Sequence, residues 1–207
     1  MLPDLIELGP PPSDFTAEIT VPGSKSITNR ALILAALGRG RTTLTGALWS
    51  EDTQVMVEAL RQLGFSVQVQ PDPGEAGNRT IEVEGGGGRI PRSGSAEQPL
   101  DIFVGNAGTA ARFLAALACL GNGTCRLHGV ARMHERPQAE LFRALRELGY
   151  QVDSANDRLP AVIHGAGPWK PGRCRVGIGE SSQFASDRKS TRLNSSHVAL
   201  SRMPSSA

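Results

Sequence analysis

The chain has 207 residues, 39% of them hydrophobic and 4% aromatic, with 24 Gly and 14 Pro. This composition suits one sizeable aliphatic core, or two small ones, joined by many tight turns, and it excludes a disordered, collagen-like or low-complexity chain. The formal charge of +2 comes from the C-terminal end, where residues 187–207 hold four of the 22 basic residues and one of the 20 acidic ones; the near-neutral remainder has no basic track interleaved with aromatics, which excludes nucleic acid as a partner.

The chain compares with itself. Ala36 to Gly46 is matched by Cys119 to Gly129 at an offset of 83, and Ala59 to Phe65 by Ala144 to Tyr150 at an offset of 85. A repeated supersecondary unit fixes architecture before any motif is interpreted. In chain order, the first unit opens on the loop Pro22 to Arg30 (PGSKSITNR), which leads into an apolar helix over about 28–37. A glycine-punctuated turn, whose glycines suit positive φ, and a short strand follow. A second helix over about 52–63 starts at Ser50 and ends in Leu63-Gly64-Phe65, with Gly64 as the residue just past the helix, before a strand over 65–70. Residues 85–99, rich in Gly, Pro and Ser, read as a surface loop.

The second unit opens on Gly105 to Arg112 (GNAGTAAR) and repeats the pattern: a helix over about 109–120, a turn, a strand, and a helix over 137–148 starting at Pro137 and ending in Leu148-Gly149-Tyr150, with a strand over 150–153. A third unit opens at Gly177 to Gln183 and is interrupted. From Asp187 the residues lose all period, and their back-translation fits read-through of a sequencing adapter, so 187–207 is read as a non-native tail and left out of fold reasoning.

Three loops therefore precede helices at matching places. Helix starts present unpaired N–H groups and partial positive charge, and Gly or Ser lets an anion approach the backbone. Any one such loop is more simply a turn and a cap. If the helices run parallel, the three starts face one surface and their fields add. Lys25, Ser26 and Arg30 reinforce the first; Arg132 and Arg136, just ahead of a helix start, are placed to clamp a carboxylate. A nucleotide P-loop is excluded, because Ser24, not Gly, precedes Lys25. His128, His134 and His164 lack metal-ligand spacing, so no metal or other cofactor is expected. Cys119, Cys125 and Cys174 form an odd set without a CxxC pair, and no charged-then-apolar leader opens the chain, which points to a reducing cytosol. No apolar stretch nears the roughly 20 residues that cross a bilayer.

Together, Gly23-Ser-Lys-Ser-x-Thr-Asn-Arg30, Gly105-Asn-Ala-Gly-Thr-Ala-x-Arg112, Arg132-Met-x-Glu-Arg-Pro137 and Ser181-Ser-Gln-Phe184 resemble, in order, the motifs of the 3-phosphoshikimate 1-carboxyvinyltransferase family. The resemblance covers residues 16–186. It implies an α/β (α+β) fold, an inside-out barrel of two lobes, each of three βαβαββ units around parallel helices, with the site in the cleft between lobes. Residues 1–22 would then start in the second lobe, 23–186 would form an incomplete first lobe, and the rest of the second lobe would be absent. Lys25 would contact both substrates; Ser26, Arg30, Ser181 and Ser182 would hold shikimate 3-phosphate; Gln183 would touch both. Gly108 and Arg136 would bind phosphoenolpyruvate, with Asn106 and Thr109 shaping their loop. Lys25, Arg136 and Gln183 are the catalytic candidates. The resemblance also implies a monomer once complete, and a 207-residue chain without turnover and with apolar helix faces left bare. The pattern departs at Phe113, where many members carry Pro or Leu, and at His134, where many carry Lys. The related enzyme acting on UDP-N-acetylglucosamine is disfavoured by Ser26 and Arg30, and a non-catalytic anion-binding module is the reading from another class.

Overall fold

The computed structural model describes residues 9, 14, 16–19, 21–167 and 173–176. The repeat is realised in it as two homologous layers. The first runs α1 (Lys25–Leu37), β1 (Arg39–Leu48), α2 (Glu51–Gln62), β2 (Ser66–Pro71) and β3 (Asn78–Gly86). The second runs β4 (Leu100–Phe103), α3 (Gly108–Ala118), β5 (Thr124–His128), the short α4 (Ala131–Glu135), α5 (Ala139–Glu147), β6 (Gln151–Asp153) and β7 (Ala161–His164). The sheets have orders β1-β3-β2 and β4-β5-β7-β6, so β1, β3, β2 correspond to β5, β7, β6; every pair is antiparallel except β4 with β5. With β4 the second layer is a complete βαβαββ unit.

The repeat is legible at the level of single bonds. Gly64 and Gly149 both close their helices at positive φ, 88° and 87°. The Phe65 and Tyr150 N–H groups bond back to the Leu60 and Leu145 carbonyls, and the glycine N–H groups to the Arg61 and Arg146 carbonyls, which satisfies the last orphan acceptors of each helix. Arg61 and Arg146 then reach forward, each placing Nε and Nη2 on the carbonyl of the strand residue six positions on, Val67 and Val152, at 2.8–3.1 Å. Each helix is tied to its following strand in a fixed register.

Several boundaries differ from the sequence expectation. α1 begins at Lys25 because Ser24 caps it, its Oγ accepting the Ile27 N–H. Pro137 does not start α5: residues 131–135 coil into α4, Arg136 is extended ahead of the proline as X-Pro sterics favour, and Gln138 is the cap. Gly85 and Gly86 close β3 rather than opening a loop, and Gly94 bridges to Thr124, so the stretch expected to be soft is pinned to the second sheet. Positive φ holds at Gly40 and Gly46 but not in the second turn, where Gly123 is required instead by closeness: a Cβ there would lie 2.3 Å from the Gly94 carbonyl.

The core sits between the sheets and the helices. Leu32, Ile33, Met56, Leu60, Ile81, Phe113, Leu114 and Phe142 are fully enclosed, and every residue of α3 is buried. The alanines of α3 let α1, α2, β5 and β7 pack closely around it. On the outer sheet face polar pairs take over: Asp101 bonds Arg126 and His128, each at 2.8 Å, and Asp153 bonds His164 at 2.7 Å. Ile27 and Leu34, seven residues apart on one face of α1, are 69% and 46% exposed. No helix among the described residues is long and apolar enough to cross a membrane.

Burial pushes the Cys119 thiol far above its ordinary range and that of Cys125 up to about 11, whereas Cys174 is only half-buried. A neutral, enclosed thiol does not attack. At pH 8 the native chain should therefore react with a chromogenic disulfide reagent through Cys174 alone, and Cys119 and Cys125 should react only on unfolding in urea; rapid modification of either would contradict this packing.

Candidate functional site

Because each strand between two helices reverses the chain twice, α1 and α2 run the same way, as do α3 and α5. The consequence is an open depression of about 370 Å³ lined by Lys25, Ser26, Glu51, Asp52, Asn106, Gly108, Thr109 and Arg136. Those residues are the first two of α1, of α2 and of α3, the loop residue ahead of α3, and the arginine ahead of α5. Helix starts direct N–H groups and partial positive charge at whatever lies beyond them, so a carboxylate or phosphate here would meet three of them at once.

Each start is held by identifiable bonds. The Gly23 N–H donates to Asn78 Oδ1 at 2.8 Å, across 55 residues, and a Cβ on Gly23 would meet the Gly46 carbonyl at 2.1 Å. Thr28 Oγ1 accepts the Leu48 N–H at 3.1 Å, which joins α1 to the end of β1. Thr53 Oγ1 accepts the Ser50 N–H at 2.9 Å and donates to the Leu48 carbonyl at 2.7 Å, fixing the start of α2. Before α3 the chain turns through Gly105 at φ 51°, whose carbonyl accepts the Val130 N–H. The Gly129 N–H donates to His134 Nε2 at 3.1 Å, so the histidine ties this loop together.

The cations take different positions. Lys25 Nζ lies 3.2 Å from Asp52 Oδ2, with the ammonium side chain half-exposed. The Arg136 guanidinium donates to the Asn106 carbonyl at 3.0 Å and lies directly on Gly108, where a Cβ would fall 2.5 Å from Cζ. Arg30 is not in the wall. Five residues along a helix is a turn of about 140° away from Lys25, and Arg30 folds back to donate to the Ser26 carbonyl at 2.8 Å, with its Cζ 5.5 Å from the centre of the Phe113 ring.

Of the residues singled out from sequence, Lys25, Ser26, Asn106, Gly108, Thr109 and Arg136 thus meet in one place, and Arg30 lies beside it. Ser181, Ser182 and Gln183 lie outside the described residues, as does the loop that opens the third unit. Sequence reasoning missed Glu51, Asp52 and Asn78. The acids read as ordinary helix-start residues; the parallel run of α1 and α2, already implied by the repeat, could have placed them. Among the described residues no group of three or more His, Cys, Asp or Glu could hold a metal ion.

The family model of EPSP synthase (3-phosphoshikimate 1-carboxyvinyltransferase) matches residues 10–188. The chain is 45% identical over 188 residues to the 3-phosphoshikimate 1-carboxyvinyltransferase of Opitutus terrae, covering 89% of this chain and 41% of that one. With the enzyme of the same name from Trichormus variabilis it shares 44% over 174 residues, 83% of this chain and 38% of the other. A solved EPSP synthase structure from Acinetobacter baumannii superposes with a TM-score of 0.67 at 26% identity, covering 82% of this chain and 36% of that one. The chain thus spans about two-fifths of the length of the curated relatives it matches.

The Gly108–Arg136 contact is testable without any assay of turnover. In Gly108→Ala the new methyl group displaces the end of a flexible side chain, not backbone, so stability to urea should be unchanged or slightly raised. Titration with phosphoenolpyruvate, the ligand that the motif resemblance assigns to these two residues, should weaken by about tenfold as the charge-assisted contact is misplaced. Unaltered affinity would mean that the guanidinium on Gly108 is not part of the binding surface.

Proposed function

Since the chain belongs to the EPSP synthase family, we propose that it carries the first-lobe half of an active site that transfers the enolpyruvyl group of phosphoenolpyruvate to the 5-hydroxyl of shikimate 3-phosphate, releasing phosphate. The observation that carries this reading is the meeting of three helix starts with Lys25 and Arg136 at one depression. Both substrates bear phosphate and carboxylate groups, and the reaction moves negative charge onto a leaving phosphate. Cations and N–H dipoles already gathered at one place are what lower such a barrier.

In this reading the Arg136 guanidinium, held by the Asn106 carbonyl and seated on Gly108, grips phosphoenolpyruvate. Thr109 shapes the same loop. Ser26 and Lys25 hold shikimate 3-phosphate, and Lys25, at the junction of the two, bridges both. Arg30 joins them by leaving its contact with the Ser26 carbonyl, and Ser181, Ser182 and Gln183 complete the grip from the third unit. The hydroxyl adds to phosphoenolpyruvate and phosphate then departs, with an acid and a base moving the protons; that pair, and further cations, belong to the remaining length of the relatives. Residues 1–22 would begin the second lobe, 23–186 make up an incomplete first lobe, and 187–207 be foreign to both. The complete protein would act as a monomer in the cytosol, without a cofactor.

The test is a chimera in which residues 1–176 are continued by the corresponding remainder of the Opitutus terrae relative. Phosphate release from shikimate 3-phosphate plus phosphoenolpyruvate should appear in the chimera, be absent from the 207-residue chain, and fall by about 100-fold or more in Arg136→Met. A folded chimera that binds neither substrate would refute the assignment and favour a non-catalytic anion-binding module.

A further inference from the structure

The depression holds a paradox of charge. A site read as gripping anions has two cations in its wall, Lys25 and Arg136, and two carboxylates, Glu51 and Asp52. The acids have an ordinary reason to stand at the start of α2, since negative charge is favourable there. That reason does not account for the contact Asp52 makes. Its carboxylate leans across from α2 to the first residue of α1 and pairs with the Lys25 ammonium at 3.2 Å, with only 22% of its side chain exposed. The Ser50 and Thr53 bonds fix the backbone from which Asp52 projects, and the Thr28–Leu48 bond fixes α1 against it. The pair is therefore built between two rigid helix starts.

Resting on the reading of the site given above, we propose that Asp52 is a specificity-determining counter-ion, which occupies Lys25 so that a lone small anion is rejected and only a ligand with additional polar groups displaces it. A free inorganic phosphate reaching Lys25 must break the existing ion pair and then sit next to the freed carboxylate, which cancels most of its gain. A phosphorylated, hydroxylated carbocyclic acid that also engages the Ser26 hydroxyl and neighbouring helix starts retains a surplus after the same exchange. Such rejection is useful in a site whose reaction releases inorganic phosphate beside a phosphorylated substrate, because the small product competes for the same cation. Specificity of this kind comes from a repulsive element set against the wrong ligand, not from a new contact to the right one.

A merely structural role predicts the opposite sign from this one, which makes the test sharp. Calorimetric titration of the 207-residue chain with inorganic phosphate, in wild type, Asp52→Asn and Glu51→Gln, is read alongside titration with shikimate 3-phosphate. Asp52→Asn should bind inorganic phosphate about tenfold more tightly than wild type while gaining less for shikimate 3-phosphate, so the preference between the two ligands shrinks. Glu51→Gln removes the same charge from the same helix start but not the pair with Lys25, and its gain should be clearly smaller. Adding Lys25→Met to Asp52→Asn should abolish the gain. Unchanged or weaker phosphate binding in Asp52→Asn overturns the proposal, as does an equal gain in Glu51→Gln, which would make net charge alone responsible. If wild type binds shikimate 3-phosphate and Asp52→Asn shows no gain for phosphate, only this inference fails. If Asp52→Asn shows the gain but no variant binds shikimate 3-phosphate, the specificity role fails, while the substrate assignment is decided by the chimera.

Discussion

Everything at the site depends on the helices of the repeat starting at one end of the molecule. A helix start is electropositive because its first N–H groups lack intrahelical partners, but the effect fades within a turn, so one start binds little. Three starts around one depression add where they meet. The spacing that brings them together is held at the starts themselves, by the Gly23–Asn78, Thr28–Leu48 and Thr53–Leu48 bonds, while the Arg61–Val67 bond and the Gly64 closure fix the far end of α2 on its sheet. These set how each helix lies on its sheet. The geometry of the depression is thus a consequence of where α1 and α2 are tied to the end of β1.

Closeness is the second constraint, and it explains the glycines at the site better than flexibility does. Gly23 and Gly108 have ordinary negative backbone angles, yet neither tolerates a Cβ without movement: the first lies against the Gly46 carbonyl, the second under the Arg136 guanidinium. The two cases differ in consequence. At Gly23 the obstacle is backbone of β1, so a side chain would push α1 away from the sheet. At Gly108 the obstacle is the end of a side chain, so the fold would survive and the cation would move. One glycine serves architecture and the other sets where the Arg136 guanidinium lies.

Much of this was legible in the sequence because it repeats. The offset match exposed the two layers, and the Leu-Gly-aromatic endings located the Schellman-type closures that the structure contains. What the repeat did not reveal is polar and long-range. β3 was invisible as a strand of its own because the surrounding Gly and Pro dominate its neighbourhood, and the Asn78–Gly23 bond spans 55 residues with no local signal. Glu51 and Asp52 were hidden behind a simpler explanation, the general preference for acids at helix starts. Composition cannot separate an acid that stabilises its own helix from one that also pairs across to the next.

Arg30 shows how a one-turn error in a helix boundary changes a chemical reading. With the helix starting near residue 28, Lys25 lies in the loop and joins Arg30, in the first turn, in one cationic patch. Placed in a helix that begins at Lys25, they point about 140° apart, and the two charges are handled in different ways: Lys25 is balanced by a carboxylate in the wall of the depression, whereas Arg30 is drawn onto a backbone carbonyl and the face of Phe113. Phe113 is fully buried, so the ring is a fixed platform, and a guanidinium over an aromatic face is attracted to it at little cost in solvation. In this chain the resting place of Arg30 is therefore set by a core residue, and any movement of that cation toward a ligand has to overcome a contact that depends on what fills position 113.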